Sequence, residues 1–296
     1  MHYIDAHVHV WTPDADHYPL AAGFTKEDMK PPSFTPEQLF AHCRPSGVER
    51  VVLIQMSFYR FDNSYMLDMM KLHGGRDDFK TGGKVGGTFG GVAVIDHTTP
   101  KPDDEMRRLL KFGVRGFRIY GGAWKAGKQT DKPDFQHWLD APGYARMFAA
   151  AAETGQSMCG LINPQDLPAF DAMCRRFSDS PVVIDHMCRI GADGQIRDTD
   201  VNALCGMAKH KKVTVKVSAF YAFGKKKPPH DDLAPMIRRL FDAYGPERLM
   251  WASDCPFQVD NETYQDSIAI VRDRLDFLSA GDKEWVLRKT AERVFF

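Results

Sequence analysis

The sequence predicts a single α/β domain folded as a (β/α)8 barrel, and three observations support this fold class. Eight short apolar segments alternate with longer amphipathic ones, as expected for parallel strands joined by crossover helices. Eight such units close a barrel, and the 296 residues exceed the roughly 250 that one barrel needs. The turn after the first strand, His7 to Trp11, contains no glycine, whereas an open doubly wound sheet would carry a glycine-rich phosphate turn there.

The predicted strands are rich in valine and isoleucine and are flanked by glycine, proline or aspartate, which is typical of buried parallel strands. In chain order they are Tyr3–Val10, Arg50–Met56, Gly90–Ile95, Val114–Tyr120, Ser157–Ile162, Val182–His186, Val213–Ala219 and Leu249–Asp254.

The predicted helices lie between these strands and carry recognisable end signals. Thr35 is placed as an N-cap with Pro36 at the first helical position, and Gly113 and Gly155 follow helix ends. The helices are predicted over Pro36–Cys43, Asp103–Phe112, Pro142–Thr154, Gln165–Phe177, Asp200–Lys209, Asp231–Tyr244 and Tyr264–Leu278, with a final one from Gly281.

Residues 1–296 are therefore predicted to form one barrel domain, with inserted loops near residues 14–32 and 74–91. The second loop is rich in glycine but is not a P-loop, because Gly83-Lys84 is followed by Val85. Either loop could act as a lid or form the contact of a homodimer, so a possible homodimer is kept open.

Composition narrows the classes of partner. The 39 basic and 39 acidic residues give a formal net charge of zero, which argues against a nucleic-acid binder. Apolar runs stay below the roughly 20 residues of a membrane span, and the first residues do not resemble a signal peptide. The six cysteines are scattered, as in free thiols of a cytoplasmic protein. We expect a cytoplasmic protein that acts on a small molecule.

Polar side chains at strand ends are the candidate functional residues. On the first strand, alternation predicts Asp5, His7 and His9 on one face, with Ile4, Ala6, Val8 and Val10 on the apolar face toward the helices. His186 ends the sixth strand and Asp254 ends the eighth. Because the carboxyl ends of barrel strands form the active-site end, we expect both first-strand histidines, His186 and Asp254 to converge.

These residues resemble the amidohydrolase superfamily through the His7-x-His9 pair, His186 and Asp254. The segments Ile4–Trp11, Gly113–Arg118, Ile184–Met187 and Ala252–Pro256 are more closely similar to the amidohydrolase-2 type, in the branch of sugar-lactone and 2-pyrone-4,6-dicarboxylate lactonases. The resemblance extends from Ile4 to the C-terminus and implies a (β/α)8 TIM barrel with hydrolase activity.

The chain departs from the family pattern at three positions. Strand four carries Arg118 where binuclear members have a bridging lysine or glutamate, so a binuclear centre is not expected. Strand five contains no histidine, where mononuclear zinc members usually have one, and Cys255 stands where lactonases of the branch often have tryptophan. The resemblance therefore implies one divalent metal, zinc by preference, or none, since some relatives work without metal.

Two mechanisms use the same residues. With a metal, His7, His9 and Asp254 would be ligands, and His186 would be a fourth ligand or a hydrogen-bond donor. Without a metal, Asp254 would act as general base on a water, and the three imidazoles would donate hydrogen bonds to the oxyanion.

Four further residues are candidates for substrate binding. Arg118 and Tyr120 share one strand face, and Arg118 could bind a carboxylate or a ring oxygen, or pair with a barrel acid. Gln55 could bind a hydroxyl group or cap a neighbouring segment, and Arg189 is a further candidate for binding an anion.

The predicted function is hydrolysis of a lactone of a sugar acid or a carboxylated ring compound by activated water. The alternative enzyme is a zinc-dependent decarboxylase or hydratase of the same superfamily that acts on a dicarboxylic intermediate. A barrel that only binds a ligand is the non-enzyme alternative, and the general base at Asp254 argues against it, because a binder needs no base.

Overall fold

In a computed structural model, which describes residues 2–74, 76–78, 83–85, 87–125 and 127–296, eight parallel strands form one sheet. The strands are β1 Tyr3–Val8, β2 Val48–Ile54, β3 Phe89–Ala93, β4 Val114–Tyr120, β5 Ser157–Leu161, β6 Val182–Ile184, β7 Val213–Ser218 and β8 Leu249–Ala252. Each strand pairs with the next in chain order. A parallel bridge between Val8 and Cys255 joins the two ends of the sheet, which closes the barrel as predicted.

Helices follow the strands and cover the outside of the barrel. Their bounds are α1 Pro36–Cys43, α2 Ser64–Leu72, α3 Pro102–Leu110, α4 Pro142–Thr154, α5 Leu167–Arg176, α6 Asp198–Gly206, α7 Ala234–Tyr244, α8 Tyr264–Ala269, α9 Ala280–Glu284 and α10 Thr290–Phe295. Helix α4 has the predicted bounds, and α1 begins with the expected cap, a capping box between Thr35 and Gln38.

Two elements differ from the sequence prediction. Helix α2 lies outside the sequence prediction, and its N-cap residue Asn63 does not cap the helix with its side chain. The Asn63 amide instead bonds the residue after β3: it donates to Val94 O and accepts from Val94 N. Strand β6 ends at Ile184, and the two residues predicted to finish it turn away from the sheet.

The predicted division of β1 into two faces is wrong for its first half. Asp5 pairs with Val51 and Val8 with Leu53, so β1 holds one residue more than β2 in this interval. Such a bulge moves the following side chains to the other face. Ile4 and Ala6 therefore lie inside the barrel, in an apolar cluster with residues of five other strands and of α10. His7 and His9 follow the bulge and also point inward, whereas Asp5 points outward.

The two predicted insertions are partly regular structure. The first insertion, residues 14–32, contains a short 3-10 turn at Lys26–Asp28. Trp11 and Phe34, which flank this insertion, form an antiparallel bridge. In the second, Arg76–Asp78 pairs antiparallel with Gly83–Val85, and residues 75, 79–82 and 86 lie outside the described part of the chain. Among the described residues, the helices lack the combined length and apolarity needed to cross a bilayer.

Candidate active site

Strained turns at the ends of three strands aim side chains into the barrel mouth. His186 after β6, Ala219 after β7 and Asp254 after β8 have positive φ angles of 52°, 54° and 68°. The turn after β6 continues in this region through Arg189, at 56°. Left-handed backbone costs a residue other than glycine roughly 1–2 kcal/mol, and such strain concentrates at functional sites. These turns mark the mouth as the functional end.

The structure brings together the four residues predicted to converge. The Nε2 atoms of His7 and His9 each lie 3.4 Å from Asp254 Oδ1, and His186 Nε2 lies 3.7 Å from the same oxygen. All four residues are buried, and the Asp254 side chain keeps 11% of its surface exposed. One carboxylate oxygen therefore faces three imidazole nitrogens.

The other partners of the rings decide which nitrogen carries the proton. His9 Nδ1 lies 2.9 Å from Ile54 O, which can only accept, so the neutral ring has its proton there. Arg118 Nη2 lies 2.9 Å from His7 Nε2 and can only donate, so this nitrogen presents a lone pair. His186 Nδ1 contacts Ser218 Oγ at 2.9 Å. In their neutral forms, His7 and His9 therefore present lone pairs on Nε2 and cannot donate from that atom to an oxyanion.

Three buried charged residues, Arg118, Asp185 and Lys216, lie next to His7 and to one another. Lys216 Nζ lies 3.0 Å from Asp185 Oδ1 and 3.2 Å from His7 Nδ1. Arg118 Nη2 lies 3.1 Å from Asp185 Oδ2. Burial favours protonation of Asp185, but Lys216, His7 and Arg118 hold its pKa well below the usual range. Burial, and then Lys216, lower the pKa of His7 well below its usual value. His7 is thus a neutral ring between two cations.

Sequence reasoning missed Lys216 and assigned no role to Asp185, although one signal was available. In β7, Thr214, Lys216 and Ser218 alternate with three valines. The valines pack in the outer core, so the polar residues face the barrel interior. A lysine in the middle of such an alternation indicates a buried charge that needs a partner.

Tyr221 holds the second oxygen of Asp254. Its hydroxyl donates to Asp254 Oδ2 at 2.7 Å. Burial and the neighbouring Asp254 raise the pKa of Tyr221, so the phenol keeps its proton. Burial alone would raise the pKa of Asp254, but the facing His186, His9 and His7 bring it well below its usual value. Asp254 is therefore an ionised carboxylate with one oxygen toward the imidazoles.

The predicted substrate-binding residues occupy two kinds of position. Arg118 and Tyr120 line a cavity of about 610 Å³, and Arg118 also contacts His7. Arg189 lies over the Trp124 ring, 5.1 Å from its centre, and donates to Asn163 Oδ1 at 3.1 Å. Gln55 is buried, and its amide donates to Asp62 O at 2.5 Å, which is the capping arrangement that the sequence left open.

The cavity favours an anionic, partly planar ligand. Arg118 belongs to both the cluster and the cavity, and its Nε is buried without a hydrogen-bond partner among the described residues. The other charged residues of the lining are Arg60, Lys125, Lys132, Asp96 and Asp134. The aromatic residues of the lining are Phe61, Tyr120, Trp124, Trp138 and Tyr144. Cations thus outnumber carboxylates in a cavity with flat apolar walls.

The cluster could also hold a metal ion. Donor atoms of His7, His186 and Asp254 all lie within 4.8 Å of one another. The ligands of a tetrahedral zinc site stand about 3.3–3.4 Å apart when each is about 2.0–2.1 Å from the ion. The distance of 3.4 Å from His7 Nε2 to Asp254 Oδ1 matches this spacing and that of 3.7 Å from His186 Nε2 is slightly longer, so the donor set fits a divalent ion. Arg118, however, already contacts one of these donors.

Comparison with known proteins places this geometry in a family. The family model described as Amidohydrolase matches residues 4–296. The chain belongs to the amidohydrolase family. This amidohydrolase is 30% identical over 260 residues to an L-fucono-1,5-lactonase of Burkholderia ambifaria, covering 86% of this chain and 80% of the relative. It is 26% identical to a 2-pyrone-4,6-dicarboxylate hydrolase of Comamonas testosteroni, covering 86% and 76% of the two chains.

Solved structures share the fold of this amidohydrolase. An amidohydrolase of Burkholderia multivorans with bound HEPES superimposes with a TM-score of 0.77 at 20% identity, covering 99% of both chains. A crystal form with bound zinc gives a TM-score of 0.76 at 19% identity, also over 99% of both chains. At this identity the likeness confirms the (β/α)8 barrel.

Proposed function

We propose that this amidohydrolase opens a lactone ring by hydrolysis and releases the corresponding hydroxy acid. The observation that carries the proposal is the ionised Asp254, which faces three imidazoles beside a cavity that shares Arg118 with them. The names of two relatives, a fuconolactonase and a pyrone-dicarboxylate hydrolase, support a cyclic ester as the substrate class.

Asp254 is the general base of the proposed reaction. Its Oδ1 takes a proton from a water molecule while the water oxygen attacks the ring carbonyl carbon. The bond between that carbon and the ring oxygen then breaks, and the leaving alkoxide takes the proton back from Asp254. An ester needs less activation than an amide, so a weakly basic carboxylate suffices.

Arg118 is the group that stabilises the oxyanion. It is permanently charged and contacts His7 through Nη2, while its buried Nε has no hydrogen-bond partner in the described part of the chain. A fixed cation in a site shielded from water stabilises developing negative charge far more than it would in solution. We assign this role to Arg118 in preference to His7, whose Nε2 accepts from Arg118, and to His9, whose Nδ1 bonds Ile54 O.

The cavity selects a lactone of a sugar acid or of a carboxylated ring compound. Its excess of cations favours a substrate with a carboxylate, and Tyr120 and Trp124 offer flat surfaces for a ring. Arg189, held against Trp124, is the proposed second contact for the anion.

A metal is compatible with this chemistry. His7, His186 and Asp254 would hold it, with His9 beside them, and nitrogen and oxygen donors make zinc the preferred ion. When bound, such an ion polarises a carbonyl and lowers the pKa of its water to about 7. The steps assigned above to Asp254 and Arg118 use side chains of the chain alone.

Acid release from lactones tests the proposal. Purified protein is assayed with a pH indicator against 1,5-lactones of sugar acids and against a carboxylated pyrone. Asp254→Asn should lower kcat by at least about a thousandfold, because general base catalysis and the charge are both removed. Asp260→Asn, an exposed acid in the following turn, should behave as wild type.

The same assay separates the alternative function. Lactone hydrolysis releases one acid per ring and no gas. Carbon dioxide released from a dicarboxylic aromatic acid, with no activity on any lactone, would favour the zinc-dependent decarboxylase and reject the proposal. Ligand binding without turnover, unaffected by Asp254→Asn, would indicate a barrel that only binds.

A further inference from the structure

The lone pair of His7 Nε2 is already occupied by a cation of the chain itself. Arg118 Nη2 donates to it at 2.9 Å, and a guanidinium has no lone pair with which to accept. His7 is fully buried, and Arg118 is 7% exposed. This contact is therefore shielded from water and is not weakened by competition with solvent.

A divalent metal bound between His7, His186 and Asp254 needs the same lone pair. When Nε2 accepts from Arg118, the proton of a neutral His7 ring is on Nδ1, which lies 3.6 Å from Asp185 Oδ1 and 3.2 Å from Lys216 Nζ. Metal-bound histidines commonly point their other nitrogen at a carboxylate in this way. The ring is therefore prepared for a cation at Nε2, but it can serve only one at a time.

The charges of the cluster also balance without an added ion. Arg118 and Lys216 supply two positive charges, and Asp185 and Asp254 supply two negative ones. A divalent ion would add two positive charges to a buried site that lacks carboxylates to match them.

We propose that Arg118 competes with divalent metal ions for His7 Nε2, so that this chain binds zinc weakly and loses it to a chelator. The Arg118 guanidinium thus occupies the place at His7 Nε2 that a metal ion would take. The proposal concerns metal affinity and does not depend on lactone hydrolysis being the reaction.

Metal titration of a matched pair of variants tests this. Chelator-treated protein is titrated with Zn²⁺ and with Co²⁺ against a competing chelator, and the Co²⁺ absorption spectrum reports the coordination. Arg118→Met should bind one ion per chain at least tenfold more tightly than wild type. Arg115→Met removes a guanidinium from the same strand, where it donates to Leu110 O, and should match wild type.

Two further measurements keep the test decisive. His7→Gln in the Arg118→Met background should remove the gain, which places the ion at the cluster. Should Arg118→Met fail to fold, Arg118→Lys keeps a charge for Asp185 but shortens the reach to His7, and the same gain in affinity is expected. Equal affinities in wild type and the folded Arg118 variant would overturn the proposal. So would wild-type protein that keeps one zinc per chain against a chelator of nanomolar affinity.

Discussion

At the scale of single residues, the site depends on how Asp254 is held. Three imidazoles face Oδ1 and the Tyr221 hydroxyl donates to Oδ2, so the carboxylate has one oxygen directed at the reaction. Tyr221 lies in the turn after β7, which Ala219 starts with a left-handed backbone. The sequence alone places Tyr221 shortly after the predicted strand Val213–Ala219 and does not identify Asp254 as its partner.

Removal of the Tyr221 hydroxyl should slow turnover without weakening substrate binding. Tyr221→Phe is expected to lower kcat about 10- to 100-fold with KM nearly unchanged, because a hydrogen bond to a charged group is worth about 1.5–3 kcal/mol. Loss of the donor also raises the pKa of Asp254, so the acid limb of the kcat/KM profile should move to higher pH.

Steady-state kinetics over a pH series measure both effects. Tyr18→Phe is the matched control, since Tyr18 donates to Asp68 at 3.0 Å on the exposed surface, and it should leave the kinetics unchanged. A Tyr221→Phe enzyme with wild-type kcat and pH profile would show that Asp254 needs no such support.

At the scale of elements, two glycines at helix ends affect stability through their backbone conformation and not through packing. Gly155 ends α4 with φ 74°, whereas Gly206 ends α6 with φ −61°. A Cβ at either position would meet no heavy atom within 4 Å. Only the first glycine therefore uses the conformational freedom that its residue type provides.

Alanine substitution should have opposite effects at these two positions. Gly155→Ala is expected to lower the free energy of unfolding by about 1 kcal/mol, because alanine is strained in the left-handed region. Gly206→Ala should raise it by about 0.5–1 kcal/mol, because alanine restricts the unfolded chain and favours helix. Urea unfolding followed by circular dichroism measures both, and equal signs would contradict this explanation.

At the scale of the whole molecule, the barrel closes where β1 meets β8, and Asp5 bonds both sides. Its carboxylate accepts from Ser253 N at 2.9 Å, from His7 N at 3.1 Å and from the hydroxyls of Ser253 and Tyr264. Full burial raises the pKa of Asp5 to about 6, although these donors oppose the shift. The stability of the barrel therefore depends on the protonation of Asp5.

Stability should fall as the pH rises from about 4 to about 6. In this interval the folded chain keeps the Asp5 proton, while the unfolded chain has released it near pH 4, so deprotonation favours unfolding. The contribution is on the order of 3 kcal/mol and is already lost at pH 7. Urea unfolding of wild type and Asp5→Asn at pH 4 and pH 7 isolates it. A constant difference between the two proteins would reject the assignment.

The sequence by itself determined the barrel and the position of its chemistry. Eight apolar segments and their helices follow from local periodicity and end signals, and six of the seven helices between strands could be found in this way. His7, His9, His186 and Asp254 could be predicted to meet, because each follows a strand and the carboxyl ends of barrel strands lie together.

Only the tertiary structure decided what surrounds these four residues. The bulge in β1 is a relation between two paired strands, so alternation within one strand placed Asp5 on the wrong face. The contacts of His7 with Arg118 and Lys216 join residues more than 100 positions apart, and together with burial these two cations lower the pKa of the ring. Proton positions and charge balance depend on such distances across the barrel, which a linear pattern does not contain.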